Sequence, residues 1–436
     1  MRVLAIDIGS SSVKAAVLAG PKPRQVARRP FETTYVGPRV EVSAAATLTA
    51  VKRAIADLGD VAKDVDLIVP TGMAPSWLAI DAGGRALTPV VTHQDRRSQT
   101  EAEAIEAAVG RARHLHLTGN RPTPGGISST TARWFVRHAR PVMRQADLIG
   151  HLNTWLVRLL TGERVIDPSN ASFTGLYRTT NLGGWDGDLI AAATVKGHWL
   201  PRVIDANRVA GMVTPAGARR FGLTTGTPVL AGFIDGSGGL LAVGGEPGTV
   251  LNVIGSTDVL AIVTDRAKPL NGLLTRALGV GRKWVSVGTV AAAGTALDWA
   301  HRTFFADLAV EAFHREVARL VRRPLSNDVV FDARLAGTRT AVESVRGNLS
   351  NLGLGTNRRD ILAALLDSLA RQSGERFGLF AAAGVPVGKL VYSTGGGAAA
   401  LASVLRRDWP NGHRFKTLTE ATAGGAWRLA EMATED

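Results

Sequence analysis

Residues Val3–Gly20 read VLAIDIGSSSVKAAVLAG, two apolar runs separated by a turn of glycine and serines. The runs at 2–8 and 12–19 are rich in Val, Ile, Leu and Ala, and the turn at Gly9–Ser11 is short, so the stretch predicts a β-hairpin. A plain hairpin does not account for two of its features. Asp7 places a carboxylate inside an apolar strand, where it is costly unless it has partners. The tip carries Gly9, Ser10, Ser11 and Ser12, with Lys14 just beyond. Backbone N–H groups, hydroxyls and a nearby cation at one tip make a cradle for phosphate.

The same form recurs in TVLNVIGSTDVLAIVTD. Val250–Ile254 and Val259–Thr264 are the apolar runs, and Gly255, Ser256 and Thr257 form the turn. Each hairpin opens roughly half the chain, which reads as an internal duplication. Either tip alone is compatible with an ordinary turn. Two such tips facing each other across a cleft would grip one polyphosphate from both sides.

Between the hairpins, strand and helix patterns alternate. VDLIVPTG is a short buried strand, and WLAIDAGGRALTPVVT is a hairpin turning at Ala82–Gly84. Residues 98–109 and 128–138 read as helices. The clearest helix is Arg358–Ala383, with Asn357 as N-cap, Asp360 three residues on, and an apolar face from Ile361 to Leu369. KLVYSTGGG is a strand entering a glycine turn, followed by a helix over Ala398–Arg407. The mixture predicts α/β domains.

Bulk properties narrow the class. A chain of 436 residues exceeds one ordinary core, so two domains are expected, joined near 225–250. The absence of cysteine excludes disulfides and thiolate metal sites and fits a reducing cytoplasm. The net charge of +14 is scattered, and dense groups such as HQDRRS and NRRD carry acids beside the bases, so nucleic-acid binding is not expected. Asp7 and the polar turn interrupt any N-terminal signal, and no apolar run is long enough to span a membrane. The nine histidines lack metal-ligand spacing; His114 and His116 are read as structural, on one side of a strand.

Two further positions suit chemistry. Asp235 ends the apolar strand in AGFIDGSGG, a place suited to a general base; it would also suit the N-cap of a helix beginning near Ser237, and the two roles are compatible. Gly395, Gly396 and Gly397 leave room for a flat group against the backbone, such as adenine or ribose, or simply make a tight turn. The only approach to a P-loop, GVPVGKL at Gly384–Leu390, has the wrong spacing.

In order along the chain, IDIGSSSVK, TGERVIDPSNASFTGLY, VTPAGARRFGLTTGTPVLAGFIDGSGG, VIGSTD and YSTGGGAAA resemble motifs of the FGGY carbohydrate kinase family. The resemblance implies two duplicated ribonuclease-H-like domains, as in actin and the heat-shock chaperones, with a cleft between them. The halves would be 1–235 on the sugar side and 236–436 on the nucleotide side. It implies ATP and Mg²⁺, with Asp7 and Asp235 as the metal-side carboxylates and Asp235 as the base that takes the sugar hydroxyl's proton. Ser10–Ser12 and Lys14 would cradle the terminal phosphates, Gly255–Thr257 would hold them from the other side, and Gly395–Gly397 would face adenosine. A cytoplasmic kinase of a ketose or polyol is implied, xylulokinase-like, with a pentulose such as D-xylulose favoured; a homodimer is compatible with it.

The sugar side departs from the family pattern. Met73-Ala74 stands where a Met-His pair is usual. His93-Gln94-Asp95-Arg96-Arg97 stands for Trp-Asn-Asp-x-Arg, Gly236 for an amide, and Gly337-Thr338-Arg339 for Gly-Glu-Arg. Asp95 and Arg97 remain candidates for substrate contact or for bracing the site, with Met73, Ala74 and His93 beside them. A degenerate nucleotide- or sugar-binding sensor is the alternative, and an actin-like ATPase or scaffold is more distant. The retained Asp7 and Asp235 speak for catalysis.

Overall fold

The computed structural model describes residues 1–322, 328–397 and 399–435. Two large mixed sheets organise the chain. The first contains β1 (Val3–Ile8), β2 (Ser12–Leu18), β3 (Pro23–Pro30), β4 (Leu67–Gly72), β5 (Val209–Met212), β6 (Pro228–Leu230) and β7 (Phe233–Ile234). Its order is β5-β6-β4-β1-β2-β3, with β7 also pairing β4. The second contains β8 (Val250–Ile254), β9 (Asp258–Thr264), β10 (Leu274–Ala277), β11 (Trp284–Val290), β12 (Leu390–Thr394) and β13 (Arg414–Thr417), in the order β10-β11-β9-β8-β12-β13.

The sheets repeat one plan. In each, a hairpin supplies a central strand that is antiparallel to its hairpin mate and parallel to a strand much later in sequence: β1 with β2 and β4, β8 with β9 and β12. The hairpin mate then pairs antiparallel with a further strand, β3 or β11. The duplication read from the two hairpins is therefore a duplication of sheet topology. Central strands need apolar residues on both faces, and Val3, Leu4, Ile6 and Ile8 are buried, as are Val250, Leu251 and Ile254.

Four helices matter for the cleft. α1 (Asp235–Ala242) follows β7 directly, α2 (Arg358–Ala382) and α3 (Ala399–Arg406) cover the second sheet, and α4 (Ala421–Glu435) ends the chain. α2 carries the expected capping box between Asn357 and Asp360. Of the expected helix at 398–407, Ala398 lies outside the described residues. α4 packs on α1 and returns to the first sheet against β1 and β4. The small residues of FIDGSGG allow that contact: a Cβ on Gly425 would lie 2.4 Å from the Gly238 carbonyl oxygen, and one on Gly238 would lie 2.8 Å from Thr422 Cα.

The helices expected at 98–109 and 128–138 occur as Gln99–Val109 and Ser128–His138. His114 and His116 belong to the helix Arg111–Thr118, not to a strand. Positions two apart do not share a helix face. His114 is buried, its Nδ1 2.8 Å from the Asn120 carbonyl oxygen, which agrees with a structural role.

Candidate active site

The hairpin tips, the end of β7 and the glycine turn after β12 converge on one cleft of about 1140 Å³. Asp7 reaches it from β1, where its partner on β4 is Thr71. Ile234 on β7 pairs with Gly72 on the other side of β4, so Asp235 emerges one residue further at the same sheet end. Both carboxylates line the cleft. Asp7 Oδ1 is enclosed with no hydrogen-bond partner. Burial, and then the charge of Asp235, push the Asp7 carboxyl up to about 7, against the pull of Lys14.

Asp235 is the first residue of α1 rather than its N-cap, a position held by Ile234. The capping role therefore falls away: its Oδ1 accepts only the adjacent Gly236 N–H, at 2.6 Å. Burial raises its pKa, while that N–H, Arg276 and Arg339 lower it. Arg276 reaches over from β10. Its guanidinium donates to Ser237 Oγ at 2.6 Å and to the Gly236 carbonyl at 2.9 Å, fastening the first turn of α1.

The first tip is a closed, hydrogen-bonded turn. Gly9 N–H donates to the Ser12 carbonyl, and the Ser10 and Ser11 carbonyls accept from Thr33 Oγ1 and Phe31 N–H. Ser10, Ser11 and Lys14 line the cleft; Gly9 shapes the turn, and Ser12 Oγ instead accepts from Arg28. Across the cleft stand Ser256 and Thr257, with Thr295 beside them. Gly255 lies behind, its carbonyl accepting from Gly294 N–H at 3.0 Å. Below this tip Asp258 is buried between Asn252 Nδ2, at 2.6 Å, and Arg376 Nη2, at 2.5 Å, tying β9 to α2.

Gly395 and Gly396 line the cleft, while Gly397 donates its N–H to the Ile254 carbonyl. Gly395 has φ +109°, and a Cβ there would sit 2.1 Å from that same carbonyl oxygen. Only glycine allows β8 and the turn to approach so closely.

The cleft is also lined by Met73, Ala74, His93, Gln94, Tyr35, Phe173 and Arg339. The His93 ring is held neutral, its pKa depressed to about 3 by burial and by the charges of Arg339 and Arg96. Asp95 and Arg97 do not line the cleft. Asp95 is buried, accepting from Arg97 Nε and Nη2 and from Val40 N–H, and Arg97 also pairs with Glu41. Of the two roles open to them, this bonding supports bracing.

Sequence reasoning passed over Arg276, Tyr35 and the segment Thr417–Ala423, all on the cleft. Arg276 had a signal: it sits in the otherwise uncharged LTRA strand, as Asp7 sits in VLAIDI.

The family model for the N-terminal domain of the FGGY family of carbohydrate kinases matches residues 2–242. The chain belongs to the FGGY family of carbohydrate kinases. This kinase is 26% identical to the xylulose kinase of Escherichia coli over a stretch covering 68% of this chain and 62% of that enzyme. It is 27% identical to the glycerol kinase of Alkalilimnicola ehrlichii, over 99% of this chain and 90% of that one. The crystal structure of xylulose kinase from Rhodospirillum rubrum superposes with a TM-score of 0.85 at 25% identity, covering all of this chain and 91% of that one. The FGGY kinase is thus an ATP-dependent carbohydrate phosphotransferase of the duplicated α/β fold. Among its described residues no helix is long and apolar enough to cross a membrane.

Proposed function

We propose that this kinase transfers the γ-phosphate of ATP to a hydroxyl of a ketose or polyol, with a pentulose such as D-xylulose as the favoured acceptor. The observation that carries the reading is the pair Asp7 and Asp235 at one sheet end, lining a cleft that Ser10, Ser11, Ser256 and Thr257 of the two hairpin tips also line. Residues 1–235 and 236–436 are the two domains, and their closure about the joint at 225–250 would exclude water.

Asp235 is the base. It lines the cleft, and burial raises it toward a useful pKa while Arg276 and Arg339 keep it from rising too far. The Ser10–Ser11 tip and Lys14 hold the terminal phosphates from one side, Ser256 and Thr257 from the other. Gly395 and Gly396 leave space for adenosine. Phosphoryl transfer passes through a loose transition state, so holding acceptor and phosphate in line and neutralising charge supply most of the rate.

Mg²⁺ fits these residues. The unpartnered Oδ1 of Asp7 is an acceptor held ready, with Asp235 as its neighbour. Among the described residues no cluster of three or more His, Cys, Asp or Glu could hold a metal. Mg²⁺ is ordinarily held by one or two carboxylates and keeps several waters, with phosphate oxygens as further ligands. When bound, it supplies positive charge to the transferring phosphoryl group.

His93, Ala74 and Gly236 stand where the resemblance implies an aromatic, a histidine and an amide, so the panel of acceptors must be wide. ADP release with MgATP, measured against pentuloses, other ketoses, aldonates, glycerol and alditols, tests the reading. Stimulation by one of them, absent in Asp235→Asn, is the expected result. Nucleotide binding without stimulation by any acceptor would favour a sensor.

A further inference from the structure

Lys14 does not stand free at the phosphate cradle: its ammonium is paired with the carboxylate of Glu420. Both residues line the cleft. Lys14 comes from β2, while Glu420 immediately precedes α4, from the far end of the chain. Glu420 is one of four non-glycine residues with positive φ among the described residues, at +54°. Such a conformation is disfavoured for a residue with a side chain and persists where its surroundings impose it. Here α4 imposes it: the Glu420 carbonyl accepts the Gly424 N–H at 2.9 Å, while Gly238 and Gly425 lock the helix against α1.

We infer that Glu420 sets the nucleotide affinity of the cleft by occupying Lys14 in place of a phosphate. The inference rests on the reading of Lys14 as a phosphate contact. A carboxylate and a phosphate oxygen compete for the same ammonium donors. Before the polyphosphate is held, the pair cancels the charge of Lys14 and adds a negative group beside the incoming phosphates. As nucleotide enters, Lys14 must exchange Glu420 for phosphate, and the reverse exchange helps ADP leave. Glu420 is thus a positioning residue that acts through Lys14. Both side chains keep partial contact with solvent, at 32% and 40% of their full exposure, so the effect is modest.

The test is a double-mutant cycle read as the Kd of MgADP, by calorimetry on the full chain. Glu420→Gln is expected to tighten MgADP about three- to fivefold, and Lys14→Met to weaken it. In the Lys14→Met background, Glu420→Gln is expected to change nothing. Glu420→Gly, which tolerates the positive φ, guards against misfolding and is expected to tighten binding likewise. If Lys14→Met weakens binding but both Glu420 variants leave it unchanged or weaker, the role of Glu420 is overturned. A tightening that survives in the Lys14→Met background also overturns it, since it does not act through Lys14. If Lys14→Met leaves MgADP affinity unaltered, the phosphate-contact reading fails, and the role of Glu420 with it.

Discussion

Asp7 and Asp235 flank one strand: Asp7 on β1 is in register with Thr71 of β4, and Asp235 follows Ile234, which is in register with Gly72 of the same strand. Two carboxylates at one sheet end raise each other's proton affinity unless a cation lies near. Arg276, reaching over from the second sheet, lowers the pKa of Asp235, and Lys14, the register partner of Asp7 across the first hairpin, lowers that of Asp7. The pair is held apart in role by these neighbours.

Asp235→Asn removes the proposed base and keeps the shape. kcat for sugar-dependent ADP release is expected to fall by about 10²–10⁴. MgADP affinity should hold within a few-fold, because the two hairpin tips proposed to hold the phosphates are untouched. Steady-state kinetics and calorimetry on one preparation check both halves.

Asp7→Asn should stabilise the ligand-free protein at alkaline pH. The folded-state pKa of Asp7 is raised to about 7, above its ordinary value of 3.8, so the folded state favours the protonated form. The associated stability is complete below pH 3.8 and is lost as pH rises through 7. At pH 8 the wild type carries the full penalty of a buried carboxylate, which the amide lacks. The Tm difference between variant and wild type should be several degrees at pH 8 and should shrink toward pH 5; thermal denaturation without Mg²⁺ measures it. With Mg²⁺ and nucleotide present, the variant should lose activity.

Arg276→Met removes a charge that lowers the pKa of Asp235. The acid limb of kcat/KM against pH should therefore move to higher pH. Arg276→Lys keeps the charge without the fork that fastens Gly236 and Ser237, so its limb should stay near that of wild type while kcat falls. A pH profile separates the two, and an identical limb in all three proteins would remove Arg276 from the control of Asp235.

Gly395→Ala should cost stability as well as nucleotide affinity. Its φ of +109° is strained for alanine, and the new Cβ would meet the Ile254 carbonyl at 2.1 Å. A loss of about 2 kcal/mol or more is expected in urea unfolding, with weaker MgADP binding. Gly396→Ala faces open space and should be milder on stability.

The sequence by itself determined the repeated unit. Apolar runs broken by Gly-Ser-hydroxyl turns at Gly9–Ser11 and Gly255–Thr257 specify the two hairpins, because alternation and turn chemistry are local. Asp7 stood out for the same reason, a charge within an apolar strand. The capping box of α2 was equally local. Tertiary structure decided what those residues meet. Arg276 and Glu420 reach the cleft from β10 and from the start of α4, places fixed by sheet order and by the glycine contact of α1 with α4, which no window along the chain contains. Asp95 and Arg97 show the converse: adjacent to His93 in sequence, they turn inward to Val40 and Glu41 because a buried carboxylate and guanidinium must satisfy each other. Position along the chain fixes chemistry and conformation over a few residues; facing partners are fixed by packing, where small residues let backbones touch.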